Sequence, residues 1–174
     1  MVTLPATVKS ASNYVIIVIV IRAHEVLDRS RKGDNMNILV IDAQGGGIGR
    51  QLVTKLLERI PEADIVAAGT NSMATNAMIK AGAKKAATGE NAIKYCASQA
   101  EIITGPIGIL VANAMLGEIS PAVAESVGSS TAPKVLIPTA HCNTIIAGTK
   151  ALPVKDSIED AVDRIVRLYG GEEN

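Results

Sequence analysis

Residues 36–50 constrain the fold most, because they form an apolar strand pattern, a glycine-rich turn and an amphipathic helix pattern in direct succession. Glycine permits positive φ and lets a ligand come close to the backbone. The first N–H groups of a helix lack partners within the helix and lie at the positive end of its dipole. The segment therefore predicts an anion-binding turn, and a purely structural tight turn is the alternative. The residues assigned to it are Gln44, Gly45, Gly46, Gly47, Ile48, Gly49 and Arg50.

Strand and helix patterns alternate from Met36 onward, which predicts a parallel sheet covered by helices on both faces. An apolar helical pattern also follows the fourth strand, over Ile107–Met115, and the last helix carries the capping-box spacing of Asp156 and Glu159. The predicted fold is α/β, a Rossmann-like three-layer sandwich with a mostly parallel sheet of about five strands. The strand patterns lie at 37–42, 65–68, 84–87, 102–104 and 134–138, with a further one at 145–148.

The first 35 residues differ in character from the rest. Their apolar run, Tyr14–Ile21, has eight residues, whereas a membrane-spanning helix needs roughly 20. The residues after this run do not resemble a signal-peptide cleavage site, and Asp28–Asn35 is typical of a polar linker. We predict that residues 1–35 form an N-terminal extension outside the core fold and that 36–174 form a single domain. An added edge strand over 14–21 is the alternative.

Composition argues against several functional classes. The chain has 17 basic and 17 acidic residues, so it lacks the electrostatic footprint of a general nucleic-acid binder. It has three Tyr and no Phe or Trp, which leaves few aromatic platforms for stacking bases. Two cysteines are too few for a disulfide framework or a four-cysteine zinc site. We predict a cytoplasmic protein that binds a small phosphorylated molecule and has no nucleic-acid, membrane or metal site.

Ligands of open α/β sheets bind beyond the carboxyl ends of the strands. The second strand leads there into Thr70, Asn71 and Ser72, and the fourth leads into Gly105 and Pro106. We assign these five residues, with the glycine turn, to cofactor binding. Candidate substrate contacts at the same edge are Glu90, Asn91, His141, Cys142 and Asn143.

These substrate candidates identify no catalytic residue. Glu90 and Asn91 could instead cap the following helix. His141 and Cys142 are adjacent, and successive side chains of an extended segment point to opposite sides. They are therefore not expected to act together as a base and a nucleophile.

The glycine turn matches no nucleotide-binding motif in full. The dinucleotide fingerprint, counted from Gly45, needs a glycine at the position of Arg50. A Walker loop needs Lys followed by Ser or Thr where Arg50 and Gln51 stand. The sequence GGGIGR resembles the TGxxxGIG turn of short-chain dehydrogenases, but neither Tyr95 nor Tyr169 is followed by the Lys of their catalytic Tyr-x-x-x-Lys pair.

Two details bear on the ligand. The loop after the second strand contains no acid that could bind the ribose hydroxyls of NAD, so NADP or a smaller phosphorylated ligand fits better, with NAD still possible. Arg50 lies in the first helical turn, where a cation opposes the helix dipole unless a negative group is nearby. This position favours a bound anion, although an exposed arginine at little cost is the alternative.

Several motifs in order resemble one bacterial family, catalogued as domain of unknown function 3842. They are DAQGGGIGR at 42–50, GTNSMAT at 69–75, KAGA at 80–83, ATGENAI at 87–93, GPIGI at 105–109 and the Cys142-Asn143 pair. The resemblance covers residues 36–169 and implies a small cytoplasmic Rossmann-like protein to which residues 1–35 are an addition. It implies no activity, substrate or catalytic residue.

Two functional hypotheses follow. In the first, the chain is a nucleotide- or dinucleotide-binding enzyme component, with phosphate at Gly45–Arg50 and ribose at Thr70–Ser72. In the second, it is a non-enzymatic ligand sensor or assembly module. The apolar segment Ile107–Met115 also has two interpretations, a homodimer contact or a helix packed on its own sheet.

Overall fold

The computed structural model describes residues 36–139, Ile146 and residues 152–171. Residues 36–174 form one compact unit. The predicted extension over 1–35 and its alternative edge strand over 14–21 lie outside the described residues, so both stay predictions. Of the predicted strand over 145–148, only Ile146 is described.

Within residues 36–139 and 152–171, five strands form one sheet in the order β3-β2-β1-β4-β5, and every neighbouring pair is parallel. The α/β prediction and the five-stranded parallel sheet are therefore confirmed. The strands are β1 (Asn37–Asp42), β2 (Asp64–Gly69), β3 (Lys85–Thr88), β4 (Ile102–Pro106) and β5 (Lys134–Ile137).

Helices cover both faces, because successive residues of the central strand point to opposite sides. Ile38 and Val40 of β1 belong to one buried cluster, and Leu39 and Ile41 belong to the other. The first cluster lies under α1 (Gly47–Arg59), α2 (Ser72–Lys80) and α5 (Val154–Tyr169). The second lies under α3 (Glu90–Gln99) and α4 (Pro121–Ser129). A sheet buried on both faces explains the near-continuous apolar strands.

The strand order places a crevice at the carboxyl edge of the sheet. The chain leaves β1 toward β2 and leaves β4 toward β5, so the connections from these two adjacent strands run in opposite directions. Ligands of open α/β sheets bind at such a switch in strand order. The glycine turn after β1 and the loop over residues 107–120 after β4 meet at this crevice.

Three local predictions were wrong. Ile107–Met115 is not a helix: a four-residue 3₁₀ helix, Ile107–Leu110, is followed by turns. The last helix begins at Val154 after the N-cap residue Pro153, so Asp156 lies in its first turn and does not cap it. Helical spacing predicts ion pairs of Asp160 with Arg164 and of Asp163 with Arg167. The first pair forms at 2.9 Å, but Asp163 instead accepts a 2.8 Å hydrogen bond from Arg59 of α1.

Among the described residues, no helix has the length and apolar character needed to cross a membrane.

Candidate functional site

The glycine turn is built around Asp42, the last residue of β1. Its carboxylate accepts hydrogen bonds from the N–H of Ala43 at 2.8 Å and the N–H of Gly49 at 2.6 Å, and the residue is only 4% exposed. Burial raises the pKa of Asp42 above its ordinary value of 3.8, and the charge of Glu118 adds to this, while hydrogen bonds from Gly49, Ala43 and Ile48 act in the opposite direction. The Asp42 carboxylate thus occupies some of the N–H groups near the start of α1 that could otherwise bind an anion.

Two glycines of the turn are required by close contacts. Gly46, the N-cap of α1, has φ of 67°, and a Cβ there would lie 2.7 Å from the Cα of Ala74 in α2. A Cβ on Gly49 would lie 2.6 Å from the sulfur of Met78 and 2.8 Å from the Cβ of Asp42. These glycines let the turn pack against α2 and the Asp42 side chain. Their role is structural.

The other two glycines face a cavity. Gly45 and Gly47 are exposed, and a Cβ on either would meet no atom within 4 Å. Within the described part of the chain, no hydrogen bond uses the N–H of either residue. Gly47 is the first residue of α1, where an N–H has no partner inside the helix. These two amides therefore remain able to bind a ligand.

The cavity has a volume of about 940 Å³ and lies among α1, α2 and α5. Its lining includes four basic side chains and one acidic one: Arg50, Lys55, Lys80, Lys155 and Glu159. Lys55 is paired with Glu159 at 3.0 Å and with Glu58 at 3.4 Å. Arg50, Lys80 and Lys155 have no ion-pair partner among the described residues, so the cavity is positively charged.

A second carboxylate reaches the turn from the loop after β4. Oε2 of Glu118 accepts hydrogen bonds from the N–H of Gln44 at 2.9 Å, from Oγ1 of Thr70 at 2.5 Å and from Nδ2 of Asn71 at 2.7 Å. Partial burial acts to raise the pKa of Glu118, but these three hydrogen bonds outweigh it and hold the pKa below its ordinary value of 4.5. Glu118 therefore joins the ends of β1 and β2 as a charged group.

Asn71 completes this network. Its Oδ1 accepts the N–H of Ala74 at 2.9 Å as the N-cap of α2, and its Nδ2 also donates to the carbonyl oxygen of Gln44 at 3.1 Å. One side chain thus starts α2 and ties it to the glycine turn. Ser72, the next residue, is exposed and lines the cavity.

The loop that carries Glu118 has an unusual backbone. Asn113, Met115 and Leu116 have φ of 62°, 54° and 60°, a region that non-glycine residues seldom occupy. Buried Ile109 and Ile119 hold the two ends of this segment against α3 and α4. Such strained conformations persist only where surrounding contacts fix them, and they often occur at functional sites.

The structure brings together most of the predicted binding residues. Gln44 and the glycine turn lie beside Thr70, Asn71 and Ser72, at the carboxyl edge of β1 and β2. Arg50, in the first turn of α1, lines the cavity.

Two other residues assigned to cofactor binding belong to a strand and not to the loop that follows it. Gly105 and Pro106 are buried residues of β4 itself, and Gly105 packs against the carbonyl oxygen of Ile41. Neither is exposed to a ligand in this conformation.

Of the five candidate substrate contacts, the structure describes Glu90 and Asn91 only. Glu90 is the first residue of α3, and its carboxylate accepts a 2.6 Å hydrogen bond from Ser120. Gly89, not Glu90 or Asn91, is the N-cap of α3, so the capping alternative is wrong, and Asn91 is exposed. His141, Cys142 and Asn143 lie outside the described residues.

Glu118 was missed in the sequence. The sequence shows no acid in the loop after β2, but the structure brings one to this place from the loop after β4. One signal could have identified it: Glu118 is the single charged residue between Glu101 and Glu125, and this segment follows a strand at the ligand-binding edge. Among the described residues, no group of three or more His, Cys, Asp or Glu side chains is placed to hold a metal ion.

Comparison with known proteins supports the family resemblance. A family model described as "Domain of unknown function (DUF3842)" matches residues 37–170, which confirms that prediction. No curated protein matches the chain. Among solved structures, the chain is similar to a dodecameric FMN-dependent UbiX-like decarboxylase from Escherichia coli O157:H7, with 16% identity, a TM-score of 0.45, and coverage of 78% of this chain and 94% of that one. A similarity at this level carries no argument about function.

Proposed function

The chain belongs to the family described as domain of unknown function DUF3842, and we propose that it binds a phosphorylated small molecule, with a nucleotide as the ligand class, in the cavity beside Gly45 and Gly47. One observation carries this proposal. The unpaired amides of these two glycines and the guanidinium of Arg50 line the same cavity.

The two internal carboxylates leave this part of the turn available. Asp42 and Glu118 accept hydrogen bonds from the N–H groups of Ala43, Gln44 and Gly49. The amides of Gly45 and Gly47 are not among them. A phosphate at these two amides would lie at the positive end of the α1 dipole, and Arg50 would offset the negative charge of the carboxylates.

The size and charge of the cavity favour a ligand larger than inorganic phosphate. Ligand pockets commonly have volumes of roughly 300–1,000 Å³, and this cavity has about 940 Å³. Lys80 and Lys155 add positive charge beyond the glycine turn. A mononucleotide is the ligand that we favour. NAD and NADP are the second choice, because a hydrogen bond from Gln44 to Glu118 joins the loops after β1 and β4 across the crevice that a dinucleotide would occupy.

Thermal unfolding with a ligand panel tests the proposal. The panel is inorganic phosphate, adenosine 5′-monophosphate, ATP, coenzyme A, NAD and NADP. A ligand at 100 times its Kd stabilises a protein by about 2.7 kcal/mol, which raises Tm by roughly 5–10 °C for a domain of this size. Arg50→Glu should abolish the increase, because it replaces the cation of the site with an anion.

Lys94→Glu is the matched control, since it makes the same charge change at an exposed position of α3 on the other face of the sheet. It should retain the full increase. The proposal is wrong if no nucleotide raises Tm, or if Arg50→Glu responds as Lys94→Glu does. Incubation of a stabilising ligand with the protein then separates an enzyme from the alternative of a non-enzymatic sensor, which would return the ligand unchanged.

A further inference from the structure

The structure places an acid where the sequence indicated none. The loop after β2 is Thr70, Asn71 and Ser72, and its lack of an acid argued for a phosphorylated ribose over a ribose with free hydroxyls. Two of these residues, Thr70 and Asn71, bind the carboxylate of Glu118. The negative charge at the end of β2 is therefore present, although it arrives from the loop after β4.

Glu118 is firmly positioned. Its three hydrogen bonds converge on Oε2, and no hydrogen bond within the described residues uses Oε1. The next residue, Ile119, is fully buried, and its carbonyl oxygen accepts the N–H of Asn113 at 2.7 Å. The carboxylate is thus held in one place with one oxygen available as an acceptor.

This network borders the cavity. Gln44 and Asn71 bind Glu118, and the residues that follow them, Gly45 and Ser72, line the cavity. A nucleotide with its phosphate at Gly45 and Gly47 would place its ribose next to this edge. In nucleotide-binding sheets, an acid at the end of the second strand accepts hydrogen bonds from ribose hydroxyls.

We infer that Glu118 determines ribose specificity, favouring a nucleotide with free ribose hydroxyls over one whose ribose carries a second phosphate. This inference rests on the proposed function. A hydroxyl can donate to the free oxygen of Glu118, whereas a phosphate on the ribose would meet a like charge. Its hydrogen bonds hold the pKa of Glu118 low, so the charge persists at neutral pH.

The test compares two ligands that differ by one phosphate, adenosine 5′-monophosphate and adenosine 2′,5′-bisphosphate, by isothermal titration. The measured quantity is the ratio of their Kd values. Glu118→Gln should shift this ratio about tenfold toward the bisphosphate, which corresponds to about 1.4 kcal/mol. Glu118→Ala removes the same charge without adding an amide, and it should shift the ratio in the same direction.

Glu125→Gln is the control, because it removes one negative charge from the exposed side of α4. It should keep the wild-type ratio. Circular dichroism checks that each variant is folded, and a folded Glu118→Ala decides the question if Glu118→Gln is not folded. A ratio within twofold of wild type in the Glu118 variants overturns the inference while leaving nucleotide binding intact. Failure of the wild-type protein to bind either ligand would instead count against the proposed function.

Discussion

Two carboxylates bind the same glycine turn, yet their pKa values are shifted in opposite directions. Asp42 is almost completely buried, and the cost of desolvation raises its pKa despite its hydrogen bonds. Glu118 is only partly buried, and three hydrogen bonds lower its pKa. The comparison shows that the balance between desolvation and hydrogen bonding, not the neighbouring turn, decides the direction of each shift.

The two carboxylates also reach the turn by different routes. Asp42 immediately precedes the turn in the chain, whereas Glu118 lies 74 positions after Gln44, its partner in the turn. The conformation around Asp42 depends on the glycines that follow it. The conformation around Glu118 depends on buried residues of a separate loop. The first is therefore a local scaffold and the second is a long-range contact that can affect specificity.

Gly46→Ala is expected to have the largest effect, because it tests the local scaffold directly. An alanine at φ of 67° costs roughly 1–2 kcal/mol. Its Cβ would also lie 2.7 Å and 2.8 Å from backbone atoms of Ala74, which cannot move away easily. We expect the free energy of unfolding, measured in urea, to fall by about 3 kcal/mol.

Gly47→Ala provides the comparison for this prediction. A Cβ at Gly47 meets no atom within 4 Å, and this residue is the first of α1. Its free energy of unfolding should change by less than about 1 kcal/mol, since alanine favours a helix more than glycine does. Equal losses in the two variants would show that the packing of the turn against α2 is not what requires Gly46.

Asp42→Asn tests the buried carboxylate. An asparagine can accept one hydrogen bond but turns its amide toward the second N–H, so we expect a loss of about 1–3 kcal/mol at neutral pH. The raised pKa means that folding favours the protonated form of Asp42. The pKa difference between the folded and unfolded states therefore adds to the free energy of unfolding below pH 3.8. This added stability is lost as the pH rises through the folded-state pKa of Asp42.

The pH dependence is the sharper measurement. The difference in unfolding free energy between wild type and Asp42→Asn should become smaller as the pH is raised from about 3.5 to about 7. A difference that grows over this range would mean that hydrogen bonding, not burial, decides the direction of the Asp42 pKa shift. The contrast with Glu118 would then disappear.

Glu118→Gln should show the opposite pH dependence with a smaller amplitude, because this carboxylate is more exposed. A lowered pKa contributes stability above pH 4.5, and the contribution is lost as the pH falls through the folded-state pKa. The stability difference from wild type should therefore shrink on acidification. Thr70→Val removes one hydrogen bond to Glu118 and should weaken this dependence. An unchanged slope in Thr70→Val would show that the Thr70 hydroxyl does not hold the carboxylate.

Sequence patterns predicted what depends on neighbouring residues. The continuous apolar run of β1 and the helical spacing of Leu52, Val53 and Leu56 in α1 identified the central strand and its helix. The glycine turn was also located correctly. Its internal acceptor was not considered, although an Asp at the end of an apolar strand is visible in the sequence at position 42.

Long-range contacts explain the errors. Apolar spacing over Ile107–Met115 indicates a helix, but the segment folds into turns because its apolar residues fill the space between β4 and the helices on that face. Asp163 has helical spacing to Arg167 and still binds Arg59 of α1, at 2.8 Å. Neither result could be derived from neighbouring residues. The position of Glu118 depends in the same way on how the loop over residues 107–120 packs.

Leu116→Asn is expected to have the smallest effect and tests that loop. The Leu116 side chain is 96% exposed, so its removal costs little packing, while its φ is 60°. Asparagine adopts this conformation more readily than leucine, and the free energy of unfolding should rise by about 0.5–1 kcal/mol. Met73→Asn is the control: Met73 is also exposed but lies in α2, where asparagine should cost roughly 0.5 kcal/mol. If both variants lose stability, the left-handed conformation at Leu116 is not maintained in solution, and the loop does not hold Glu118 at a fixed position. A gain only at Leu116 would support a strained loop whose buried ends fix the carboxylate beside the turn.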